Sequence, residues 1–410
     1  MRTLVILLGL TAACGSRSES KLESTPAQAA APKPAPKPGG VRITYDVDLE
    51  KAVDDRASGI KRDLEAGTPG LTVAIATSGT LTAVPRDPSK SAALRASIRA
   101  SYGALVDLRD CAGAAPGAVC FAITASYAAT VKQAALAQVV TTVQRRLVDI
   151  GLPDAIAVAK GAQLVVELPG ASDEALDETR MVITRSGVLE FVVVDDGAAF
   201  MRSVFQRVGD GAGGEATDPD ARAAGIRGAV DTWRGPAGDD HTDLYLRGPD
   251  RPGLERYVAQ LADRDPALAL PADRRLGLEH VVEAPGQRPI WRTYLLERTP
   301  ALTGASVATA EAVTNPDTRE STVMVEFDRT GAQTFADLTA RIVGRRLAIV
   351  LDGSIKSAPV VMSSIRGGRV QITMGGEATV QAREAKELAP VLRSGALPVP
   401  LREASAEMLP

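Results

Sequence analysis

Runs in which apolar and polar residues alternate with a period of two recur along the chain, separated by runs whose apolar residues return every three or four positions. This alternation of the two periods limits the fold more than any other feature. The first strand pattern sets Val41, Ile43, Tyr45 and Val47 against Arg42, Thr44 and Asp46, as in a strand with one buried face. Asp48 then caps a helix whose Leu49, Ala52, Val53, Ile60 and Leu64 share one stripe, stopped by Gly67 and Pro69. "LTVAIAT" and "TLTAV" read as strands, "SKSAALRASIRASYG" as a helix and "FAITAS" as a strand, which gives the ferredoxin-like order β-α-β-β-α-β. A similar series follows: helix 130–150, strands "AIAVAK" and "QLVVEL", helix 172–184 and strand "VLEFVVV". The expectation is an α+β fold of two related units.

From Ala198 to about Pro289 the pattern weakens into "GDGAGGEATDPD" and "RGPAGDDHTD", which read as Gly- and Asp-rich loops around short amphipathic helices, hence an insertion. A third compact unit begins at "STVMVEFD" and continues through a helix carrying Phe335, Leu338 and Ile342. "RLAIVL" is apolar throughout after its first residue, as expected of a strand buried on both faces. Asp352-Gly353 is a two-residue hairpin signal, and Gly367-Gly368 turns into "RVQITM". A last helix with Ala385, Leu388, Ala389 and Leu392 ends at Gly395, and little is expected after Leu401.

The N-terminus sets a compartment. Arg2, the short apolar "LVILLGL" and the small residues of "TAAC" before Cys14 read as a lipoprotein signal at 1–13 with Cys14 as the lipidated residue. Cleavage at a nearby site is the alternative, and an uncleaved anchor is disfavoured because a bilayer span needs about 20 apolar residues. Residues 14–38, rich in Ser, Ala, Pro and Lys, form a tether with almost nothing to bury. Cys111 and Cys120 bracket the loop "AGAAPGAV" and are a candidate disulfide, the other reading being two small buried hydrophobes.

A formal charge of -3, six Phe, six Tyr and two Trp give no basic field and few stacking platforms, so nucleic acid is not an expected partner. His241 and His280 have no metal-ligand companion at helical or hairpin spacing, and the acids of "DDHTD" lack the order of a calcium loop. No nucleophile elbow or phosphate loop is present, and Asp195-Asp196 reads as a strand end. The residues therefore point to no catalytic, cofactor-binding or metal site.

The segments "GGVRITYDVDLEKAVDDR", "VQRRLVDIGL" with "GAQLVVELPGASD", "GVLEFVVVDD", "YLLERTPALTGASV", "VGRRLAIVLDGSIKSAPVV", "GGRVQITMGG" and "LRSGALPVPL" resemble, in that order, the first periplasmic domain of the SecD family. The resemblance runs from Gly39 to about Arg402. It implies a ferredoxin-like base at 39–197, the insertion at 198–298, a head at 299–375, a return to the base at 376–402 and a tail at 403–410. It also implies a non-enzymatic role in protein translocation, facing the periplasm, with emerging or unfolded polypeptide and Sec translocase components as partners. In the family the "GALP" stretch leads toward a membrane helix. Here a lipobox and "APKPAPKP" stand where the family has its first membrane helix, so membrane attachment is expected through lipid alone. The other reading is a structural or interaction lipoprotein of the cell envelope with no role in translocation. Substituting Cys14→Ser should move the protein out of the membrane fraction of cells; retention in that fraction would show that the anchor lies elsewhere.

Overall fold

The inward residues Val41, Ile43, Tyr45 and Val47 of β1 (Gly40–Val47) are all buried, and the strand lies in the middle of a sheet. The computed structural model describes residues 39–409 apart from 77–78, 112, 171–172, 210–215, 282–287, 317 and 374–377. After β1 come α1 (Leu49–Gly67), β2 (Leu71–Ala76), β3 (Thr80–Pro85), α2 (Ser91–Tyr102), β4 (Val106–Arg109) and β5 (Val119–Ile123). Next are α3 (Ala125–Asp149), β6 (Ile156–Lys160), β7 (Gln163–Pro169), α4 (Asp173–Thr184) and β8 (Leu189–Val193). The expected insertion holds α5 (Ala199–Val208), α6 (Pro219–Ala223), β9 (Arg227–Arg234), β10 (Asp240–Gly248), α7 (Arg251–Arg264), β11 (Arg274–Val281) and β12 (Ile290–Glu297). Then follow β13 (Leu302–Thr303), β14 (Val307–Thr314), β15 (Ser321–Phe327), α8 (Arg329–Arg341), β16 (Leu347–Leu351) and β17 (Ser354–Ser357). The last elements are β18 (Arg369–Thr373), α9 (Ala378–Ser394) and β19 (Leu401–Leu409). The fold is α+β.

The base is a ferredoxin-like sheet assembled differently from the sequence reading. Its order is β19-β1-β7-β6, antiparallel throughout, with α3 and α4 as the crossover helices. The first expected unit, residues 41–123, is not one sheet: β2, β3, β5 and β4 form a separate four-stranded sheet with their own core under α1 and α2. Period-two alternation marks a half-buried strand but not its partner, and β1 pairs across 125 residues instead of with its neighbours, as in Arg42↔Glu167. α1 serves both layers, with Ala52 in the base core and Val53, Ala57, Ile60 and Leu64 in the other. Residues 403–410 were expected as a tail, yet 401–409 form the fourth strand of the base, in register with β1. Their low apolar content hid this, because the strand is an exposed sheet edge with nothing packed over it.

The stretch 198–298 contains strands where loops were expected. "RGPAGDDHTD" is the turn and return strand of the β9–β10 hairpin, closed by Gly235 N donating to Asp239 O at 2.7 Å. Polar residues on both faces of these strands blurred the alternation. Together β13-β8-β16-β17-β11-β12-β10-β9 make an eight-stranded sheet. It closes on itself: Val194 bridges Leu296, and Asp195 N donates to Leu295 O at 2.9 Å, so β8, β16, β17, β11 and β12 form a ring. Val192, Val194, Tyr294, Leu296, Ala348, Val350 and Ile355 fill its interior. The ring is so tight that a Cβ on Gly277 would come within 2.6 Å of Leu296 and 2.7 Å of Ile355.

The outer face of β8 and β16 packs under α8, α9 and the sheet β14-β15-β18. Phe191 meets Phe327 and Phe335 edge-on there, at 5.2 and 5.8 Å between centroids. The outer face of β11 and β12 packs against α5 and α7. "RLAIVL" is buried on both sides because one side fills the ring and the other faces this core. Among the described residues no helix is long and apolar enough to cross a membrane.

Candidate functional site

Successive odd or even residues of a strand share a face, so the ring strands together with β9 project a column of charged and aromatic side chains at one mouth. β9 supplies Asp231 and Trp233, β11 supplies Glu279, β12 supplies Arg292 and Tyr294, and Arg346 precedes β16. These six residues line one side of a cleft of about 560 Å³. Ser357–Val360 and two residues of β18, Gln371 and Thr373, line the other. β18 is an edge of its own sheet, so its outer main-chain groups border the cleft.

Two guanidinium groups organise the column. Arg346, 4% exposed, bonds Asp196 at 2.7 Å and Asp231 at 3.0 Å and pairs closely with Asp243. Its guanidinium lies 4.4 Å from the Trp233 ring centre and 5.1 Å from that of Tyr294. Arg292 bonds Asp231 at 2.7 Å and lies 4.1 Å from Tyr245 and 4.6 Å from Tyr294. The Tyr294 hydroxyl donates to Glu279 at 2.6 Å. Burial raises the Glu279 carboxyl above the ordinary carboxylate range, against the pull of Tyr294 and Arg292. Burial likewise raises Asp196, against Arg346. Burial also raises the Tyr294 phenol. Two buried donors, Trp233 Nε1 and Arg292 Nε, have no hydrogen-bond partner. Arg292 Nε is 3.9 Å from Glu279, too far for a hydrogen bond. Both residues line the cleft.

The residues singled out from sequence lie elsewhere. Cys14 is outside the described residues. Cys111 and Cys120 are joined as a disulfide with Cα atoms 5.3 Å apart, beside the β4–β5 pair. Asp352 and Gly353, at φ 49° and 75°, make the two-residue turn between β16 and β17. Gly368 has φ 62° and faces Ala332, whereas Gly367 is not left-handed. His241 bonds Asp239 at 2.7 Å and stacks on Trp233, and His280 lies against Trp291. Among the described residues no group of acids, cysteines or histidines is arranged to hold a metal. Asp195 and Asp196 end β8 as ion-pair partners of Arg274 and Arg346. Trp233, Glu279, Arg292, Tyr294 and Arg346 were not anticipated. The alternation of Arg292, Tyr294 and Leu296 on one face was the available signal.

Comparison with known proteins bears on this region directly. Residues 280–399 match the family model described as SecDF, P1 head subdomain. The chain is similar to SecD over most of its length. Protein translocase subunit SecD of Desulfurispirillum indicum is 27% identical over 88% of this chain and 58% of its own length. SecD of Anaeromyxobacter dehalogenans is 26% identical over 88% of this chain and 60% of its own. The chain thus spans about three-fifths of these SecD relatives. A solved SecDF, described as a membrane component that enhances protein export, is 28% identical over 66% of this chain and 92% of its own, at a TM-score of 0.39. The matched head runs beyond the expected 299–375 at both ends, taking in β12 and α9.

The raised Glu279 has a definite consequence for stability. A carboxyl whose folded pKa exceeds its unfolded value loses stability as pH rises from the unfolded value, about 4.3. Glu279→Gln removes that loss. The melting temperature of Glu279→Gln relative to wild type should therefore rise between about pH 4 and pH 7, and a difference that stays constant or falls would contradict the assignment.

Proposed function

We propose that this protein is a non-catalytic, lipid-anchored envelope protein that assists protein translocation by binding emerging or unfolded polypeptide. In this reading Cys14 carries the lipid, residues 14–38 hold the folded part away from the membrane on its periplasmic side, and Sec translocase components are neighbours. The observation that supports it best is the cleft at the ring mouth, within and beside the SecDF head match. It offers unpartnered Trp233 and Arg292 donors, aromatic faces and the free edge of β18. Those groups suit the main-chain carbonyls and mixed side chains of an extended chain, which need hydrogen bonding without sequence specificity.

The test is the affinity of the full chain for a reduced, unfolded secretory protein. Trp233→Ala should weaken binding by roughly tenfold, the loss typical of a buried aromatic anchor, and Arg292→Gln should do so to a lesser degree. Binding that is absent in the wild type, or unchanged in both variants, would remove the polypeptide-binding reading and leave a structural role in the envelope.

A further inference from the structure

The base sheet stops at β6, and no strand pairs with its outer edge among the described residues. One side chain shows which way the free groups face. The Gln144 amide accepts from Ala157 N and donates to Ala155 O, both at 2.9 Å, as a neighbouring strand would. By alternation Ala159 presents the next outward N–H. Beside this edge, between α3 and the end of α9, lies a groove of about 590 Å³ lined by Val140, Val148 and Ala157. Val148 is 50% exposed, and Ile156 and Val158 on the other face of β6 are 42% and 45% exposed. Arg145 and Arg393 also line the groove with one acid, Asp149, which pairs with Arg393 at 3.4 Å. Arg145 makes no ion pair among the described residues and is exposed.

An open strand edge, exposed apolar side chains on the face away from α3 and an unspent cation on the α3 side together describe an occupant. We propose that β6 is the docking site of an extended partner polypeptide that alternates apolar and acidic residues and adds a strand to the base sheet. Its main chain pairs with Ala157 and Ala159 in place of Gln144, its apolar side chains cover Ile156 and Val158 on one face, and on the other, toward α3, a carboxylate pairs with Arg145. Charge disfavours the chain's own tether, because in residues 14–38 Arg17, Lys21, Lys33 and Lys37 outnumber Glu19 and Glu23, and its prolines cannot donate to a ladder. The site is separate from the cleft and stands whether or not the cleft binds polypeptide.

The experiment uses the full chain and two labelled peptides of about ten residues, the length of a long strand, one alternating valine with glutamate and the other valine with lysine. Fluorescence anisotropy should show the glutamate peptide binding more tightly than the lysine peptide, and amide exchange at Ala159 should slow with the glutamate peptide only. Arg145→Glu should weaken binding of the glutamate peptide by about tenfold, a change in Kd of one decade, and Ala159→Pro should reduce it to that of the lysine peptide, while Trp233→Ala leaves the slowed exchange at Ala159 in place. Arg145 is exposed, so its variant tests the proposal even if the proline variant fails to fold. Equal binding of both peptides, no binding, or indifference to Arg145→Glu would overturn the proposal. Self-association of the wild type that Ala159→Pro removes would overturn it in favour of a second copy as the occupant.

Discussion

Among the described residues Arg146 is the largest side chain with no solvent exposure, and the joining of the base to the ring depends on it. Its guanidinium donates to the carbonyls of Val182, Ile183, Arg185 and Ser186 at the end of α4, at 2.5 to 3.4 Å. It also donates to Ser394 Oγ at 3.1 Å and Gly395 O at 3.0 Å at the end of α9. Helix C-termini leave carbonyls without intrahelical partners and carry the negative end of the dipole. A cation placed between two of them satisfies both. Burial pushes the guanidinium down to about 10, with Asp352 working against that shift, so it stays charged at neutral pH.

The chain passes between the base and the ring with its overlying helices and sheet at two places, residues 185–188 and 394–397, and Arg146 holds both. Leu397 N also donates to Ser186 O at 2.8 Å, tying one passage to the other. A Cβ on Gly187 would fall 2.5 Å from Val391 and 3.2 Å from Arg146, so the first passage must be glycine. The Asp352 turn then fastens the ring to the same passage: its N–H donates to Val188 O, its carboxylate accepts from Val188 N, each at 2.9 Å, and Arg185 lies 3.6 Å away. The position of the ring, and with it the cleft, follows from contacts around one buried charge.

Local features were legible in the sequence where a short-range rule governs them. Asp352-Gly353 reads as a hairpin because both positions need positive φ, and β1 and α1 read correctly from their periods. The pairing of β1 with β7 and β19 did not, because register across long separations leaves no local trace. The ring was hidden for the same reason, since its closing bridge joins Val194 to Leu296. The cleft was harder still: its side chains come from β9, β11, β12 and the start of β16, each ordinary in isolation. Arg146 did leave a signal. It falls with Val139, Val143 and Leu147 on the apolar stripe of α3, while its neighbour Arg145 falls off it.

Chemical denaturation of Arg146→Gln, beside Arg145→Gln as control, tests the clamp most directly. Removing a buried charge's role while leaving six acceptors without it should cost about 3 to 5 kcal/mol, and the exposed control should stay within about 0.5 kcal/mol of wild type. Coincident unfolding midpoints for the two variants would contradict the account.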